Sequence, residues 1–139
     1  MELIEIVRKY LNEFSPALPA TVVLEKLEKE KFGIMLQQLS GVRKVREYIN
    51  GSFIAEFPFA LYVQTPGNDT SSRIDAVKVL NDVGVVMDND TLARSLPDLN
   101  IKQMALSLEM SSHPTLIDRE DSGLETYQAI YQLTYKQSV

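Results

Sequence analysis

Between Ser52 and Thr65 the side chains alternate: Phe53, Ala55, Phe57, Phe59, Leu61 and Val63 point one way, and Ile54, Glu56, Pro58, Ala60, Tyr62 and Gln64 the other. A period of two specifies an extended strand and excludes a helical stripe. A strand face this rich in phenylalanine has to be covered by a second layer, so the remaining chain must supply one. Pro58 cannot donate to a ladder, which predicts an edge or a bulge at that point.

The flanking segments supply the partners. Leu3, Ile4, Val7, Leu11 and Phe14 recur at spacings of three and four, predicting a helix over Met1–Phe14 that Ser15 and Pro16 stop. In Thr21–Lys31, Val22 and Val23 favour a strand, while Leu24, Leu27 and the Glu/Lys run favour a short helix; we read a short helix. Phe32–Leu39 alternates, Ser40-Gly41 reads as a turn, and Val42–Ile49 alternates again. Asn50-Gly51 then predicts a type I′ hairpin, in which both turn residues need positive φ. After a loop at Pro66–Asp69, capped by Asp69, Thr70 or Ser72, a helix is expected to Met87 with Ile74, Val77, Leu80, Val83 and Met87 inward. Asp88–Asp98 is polar, with room for a helical turn at Leu92–Leu96. Ile101–Met110 reads as a strand with Met104, Leu106, Leu108 and Met110 inward, Ser111–Gly123 as a loop, and Thr126–Gln137 as the last strand. The sum is an α+β fold: an antiparallel sheet of about five strands, with room for a parallel pair, and two main helices on one face.

At 139 residues the chain has the length of one domain. It has no cysteine, which excludes disulfides, thiolate catalysis and cysteine zinc sites. A net charge of -5 is a poor basis for gripping phosphates. We find no basic and apolar leader and no apolar run of the ~20 residues that a membrane helix requires, so no membrane association is expected. The single histidine, His113, precedes Pro114 and reads as a surface residue. Asp88-Asn89-Asp90 opens like a calcium loop, but Ala93 and Leu99 stand where that loop needs Gly and Glu, so it reads as a helix-ending turn. The glycines are scattered singly, and no serine sits in a nucleophile elbow. Neither catalysis, a cofactor nor a metal is expected.

Two features point to binding. Arg43, Lys44 and Arg46 form a basic cluster, remote in sequence from the acidic Asp118, Glu120 and Asp121. A solvated strand face is the ordinary reading; charge complementarity between neighbouring copies is the sharper one. Tyr127, Tyr131 and Tyr135 share a strand face, which suits a core and an interface equally.

The stretch from Val45 to Val83 carries Tyr48, a glycine turn at Gly51, Pro58-Phe59 in a strand, and the helix start Thr70-x-Ser72-Arg73-x-x-Ala76. His113–Lys136 adds an acidic, glycine-containing loop and an aromatic final strand. Over about Phe32 to Lys136 the chain resembles the minor capsid proteins of siphophages infecting Gram-positive bacteria, a family similar to phage tail terminators. The resemblance implies a structural virion protein, assembled in the host cytoplasm, that forms a hexameric ring on the head-proximal end of the tail tube. It further implies contacts with copies of itself, the major tail tube protein and the head connector or stopper protein, with DNA only as passing cargo. An acidic subunit suits a channel through which DNA slides. The alternatives are another head–tail joining protein, of the tail-completion or connector kind, and a small host ligand-binding domain.

Overall fold

The computed structural model describes residues 2–14, 17–24, 32–66, 70–121 and 123–139, the side chains of 70–72 excepted. The elements follow in the order α1 (Leu3–Asn12), β1 (Val22–Leu24), β2 (Gly33–Gln38), β3 (Arg43–Glu47), β4 (Phe53–Thr65), α2 (Thr70–Ala93), β5 (Gln103–Arg119) and β6 (Glu125–Gln137). One six-stranded sheet runs β1-β2-β4-β6-β5, with β3 joined to β4. All pairs are antiparallel except β1–β2, so the sheet is mixed. The fold is α+β, with both helices packed against the sheet.

The ladder between β4 and β6 is unbroken from Phe53↔Gln137 to Thr65↔Glu125. Its register puts Ala55, Phe57, Phe59, Leu61 and Val63 beside Tyr135, Leu133, Tyr131, Ala129 and Tyr127 on one buried face. Phe59 stacks on Tyr131 at 5.8 Å between ring centroids. The second layer is Val7 and Leu11 of α1 with Ala76, Leu80, Val83 and Met87 of α2. The Tyr131 hydroxyl donates to the Leu80 carbonyl at 2.6 Å, so its one polar atom is satisfied inside the core. Burial of that phenol raises its pKa, since the charged form is disfavoured there. The three tyrosines of β6 are therefore core.

Several expectations change. Ser40-Gly41 does not reverse the chain. β2 and β3 both run antiparallel to β4 and so parallel to each other, as two pieces of one interrupted strand. The interruption falls opposite Pro58: β2 ends at Gln38↔Phe59 and β3 begins at Arg43↔Glu56. The missing proline N–H thus lies where no strand needs it, and the Pro58 carbonyl accepts from Leu39 N–H at 3.3 Å. There is no bulge in the β4–β6 register at Pro58. Val22–Leu24 is a strand and not helix, because its β-branched residues pair with Ile34–Leu36; residues 25–31 lie outside the described residues, as do Ser15-Pro16, Gly67–Asp69 and the helix-capping side chains.

The Asn50-Gly51 turn is not type I′. Gly51 has φ +92, but Asn50 is not among the positive-φ residues. Gly51 N–H donates to Tyr48 C=O and Tyr48 N–H to Ser52 C=O, making a three-residue connection that closes on a left-handed glycine. The Asn50 side chain accepts from Ser52 N–H and Oγ, which uses up its oxygen and favours this form. Gly123, at φ +94, repeats the device between β5 and β6, with Gly123 N–H to Glu120 C=O and Glu120 N–H to Leu124 C=O.

α2 runs on through Asp88–Asp90 to Ala93, past the expected end at Met87, and Leu92–Leu96 is not a separate turn. It stops at Arg94, which adopts φ +56 while Ser95 N–H reaches back to Asp90 C=O at 2.8 Å. Its buried stripe begins at Ala76, leaving Ile74 exposed. Ser111–Arg119 is strand and not loop. β5 spends 17 residues opposite the 13 of β6, taking up the excess in four register shifts that erase the alternation. The first shift falls between Ala105 and Ser107, so Ala105 and Leu108 share the core face while Met104 and Leu106 stay exposed.

Two helix side chains close the sheet edges. Asn12 of α1 accepts from Val22 N–H at 2.8 Å and donates to Val22 C=O at 3.2 Å, on β1. Thr91 Oγ1 of α2 accepts from Leu108 N–H at 3.0 Å and shares its proton between the Leu108 and Met87 carbonyls, on β5. Each stands in for a missing strand at one residue. Replacing Phe59 by Ala removes the ring stacked on Tyr131 and should lower unfolding free energy by ~3–5 kcal/mol in denaturant titrations.

Candidate subunit-contact surfaces

β3 breaks the basic cluster in two. A register shift between Lys44 and Arg46 leaves Val45 unpaired in the ladder. Arg43 and Arg46 stand opposite Glu56 and Ile54, residues of the sheet face away from the helices. Lys44 stands opposite the buried Ala55; its ammonium pairs with Glu47 at 3.1 Å and lies 4.4 Å from the Phe53 ring centroid. Among the described residues Arg43 and Arg46 make no ion pair, and both are exposed.

The acidic residues gather at the opposite end of the sheet. Asp118 lies near the end of β5, opposite Thr126, and Glu120 and Asp121 lie in the turn that Gly123 closes. All three are exposed and make no ion pair among the described residues. β3 flanks the Phe53 end of β4 and this turn flanks the Thr65 end, with β4 and β6 between them. The two groups therefore occupy diagonal corners of one protomer, roughly 30 Å apart along the strands at ~3.3 Å per residue. They cannot neutralise each other within one chain.

Arg119, the last residue of β5, leads into this turn and is already ion-paired. Its guanidinium donates to Glu125 Oε2 at 2.7 Å, and Arg73 of α2 donates to Oε1 at 2.8 Å. Glu125 is wholly buried, while each arginine is about half exposed. Burial alone pushes the Glu125 carboxyl up, but the hydrogen bonds and charges of Arg119 and Arg73 outweigh it and hold the group below its ordinary range. The clamp ties the start of α2 to the β5–β6 turn. Its signals in the sequence are the Arg73 of the helix-start motif and the parity of Glu125, which matches that of the inward Tyr127. A buried carboxylate demands cations, and two come.

His113 is exposed on β5, in the bulge opposite Ala129. Asp88–Asp90 lies within α2, where Asp90 accepts from the Tyr10 hydroxyl at 2.7 Å and so joins α2 to α1. A cleft of about 490 Å³ opens beside this bond, lined by Ile6, Phe14, Val86 and Leu96 among others. The Tyr10 phenol is held protonated by burial and by its bond to Asp90. Among the described residues no group of three or more His, Asp or Glu side chains is placed to hold a metal, and no helix is long and apolar enough to cross a membrane.

No protein-family model matches the chain, and no curated protein matches it.

Because the folded pKa of Glu125 is depressed, its contribution to stability is present above its unfolded value and is lost as pH falls through the folded one. Thermal melts of the parent between about pH 5 and pH 3 should therefore fall more steeply than those of Glu125→Gln, whose clamp has no carboxylate to protonate. Equal slopes would show that the pair carries none of the acid sensitivity.

Proposed function

We propose that this chain is a phage tail terminator: a structural subunit that closes into a ring, caps the head-proximal end of the tail tube and helps join tail to head. One observation carries the reading. Exposed charges of opposite sign, Arg43 and Arg46 against Asp118, Glu120 and Asp121, stand at diagonal corners and make no ion pair among the described residues. A surface pair of this kind, one patch fitting a different patch on the next copy, builds head-to-tail contacts, and such contacts make rings when the rotation closes. Complementary charge fixes the register of each contact more than its strength.

The resemblance supplies the setting. Its helix-start arginine, Arg73, and its acidic glycine-containing loop meet in one place, around Glu125. The clamp holds the acidic turn in a fixed position relative to α2, which a docking surface requires. In the ring the partners are the neighbouring copies, the major tail tube protein below and the head connector or stopper protein above. DNA passes through without being read.

Reversing Arg43 and Arg46 to Glu should abolish rings in negative-stain images, alone or on purified tail tubes, while the melting temperature stays within about 2 °C of the parent, because exposed unpaired charges contribute little to folding. A parent protein that neither forms rings nor binds tube ends would defeat the proposal.

A further inference from the structure

The end of the sheet that carries β3 is apolar as well as basic. Ile49, at the tip of the β3–β4 turn, is fully exposed, and Ile101, in the turn before β5, is 88% exposed. Val139 joins them: its Cγ2 lies 3.5 Å from the position a Cβ on Gly51 would take, and Ser138 N–H donates to Lys102 C=O at 2.7 Å. Met104, opposite Lys136 in the ladder, extends the patch. Arg46, Lys102 and Lys136 rim it, and the Lys136 ammonium sits 5.5 Å from the Tyr48 ring centroid. Lys102 holds φ +66, a conformation strained for a side-chain-bearing residue, in the turn that carries Ile101.

We infer that this apolar end is the energetic centre of a head-to-tail contact, and that its occupant is the acidic end of a second copy of this chain. The acidic end presents Asp118, Glu120 and Asp121 beside the exposed Leu116 and Ile117 of β5, so it offers apolar groups next to charges of the opposite sign. Contact energy concentrates in buried apolar anchors, and rim charges orient them. Growth along the sheet edges is disfavoured, since Asn12 and Thr91 occupy edge groups of β1 and β5, and a register shift and four charged side chains blunt β3. The inference rests on the ring proposal only in requiring two unlike surfaces on each copy.

Two variants test it. Ile49→Asp/Ile101→Asp spoils the apolar end; Asp118→Lys/Glu120→Lys/Asp121→Lys spoils the acidic end. All five positions are exposed, so circular dichroism should show both variants folded. By sedimentation velocity each alone should associate at least about tenfold more weakly than the parent. Mixed in equal amounts they should form a one-to-one dimer and nothing larger, because one intact pair of unlike ends survives. A mixture that stays monomeric, variants that assemble like the parent, or a parent that is monomeric at every concentration overturns the inference. Parent rings on tail tubes that both variants also form would sink this contact and leave the capping role standing. A dimer from the mixture, with parent that ignores tails, would do the reverse.

Discussion

The rest of the molecule depends on the ladder between β4 and β6. It fixes, over the whole length of both strands, which side chains meet on the buried face. A slip of one residue would send every aromatic ring to the wrong side, so the register is held by the same apolar burial that it creates. The other strands attach to this pair: β5 through a ladder full of shifts, β2 and β3 as an interrupted strand on the far side. The irregularities collect there because only the central pair has to be regular.

The helices are held by a few polar bonds of definite geometry. Tyr131 to Leu80, Thr91 to Leu108 and Arg73 to Glu125 join the helix layer to the sheet, and Tyr10 to Asp90 joins α1 to α2. Apolar packing alone tolerates sliding of a helix over a sheet; directional bonds choose one position. The Glu125 clamp is the most demanding of these, since an unpaired carboxylate at that depth would be costly. It also sets the height of the acidic turn. In this way an interior requirement positions an exterior surface.

The central strands, α1 and the general architecture were legible because period and burial agree there: Phe57, Phe59, Tyr131 and Leu11 all obey the simple pattern. The pattern misleads wherever an extra residue enters a ladder. Leu106 and Met104 look inward by alternation and are not, because a shift lies between Ala105 and Ser107. Ser111–Arg119 looks like a loop because three of the four shifts scramble its period. Val22–Leu24 is too short to show a period at all, and only its pairing with Ile34–Leu36 reveals it. Of the surface residues, Arg43, Arg46, Asp118, Glu120 and Asp121 were visible as charge runs, but their diagonal placement is a property of topology. Ile49 and Ile101 gave no signal, since one apolar residue in a turn has no period to break.

The clasp of Thr91 on Leu108, matched by that of Asn12 on Val22, bears on how copies of this chain can meet. Strands at the margin of a sheet carry unpaired N–H and C=O groups that can pair with another chain. A long sheet with bare rims would then recruit its neighbours into fibres, irreversibly and without limit. One hydroxyl and one carboxamide, each spent on a single backbone residue, interrupt that route while leaving the ends free. Neighbouring copies are thereby turned away from Val22 and Leu108 at the rims, while the ends stay open to contact.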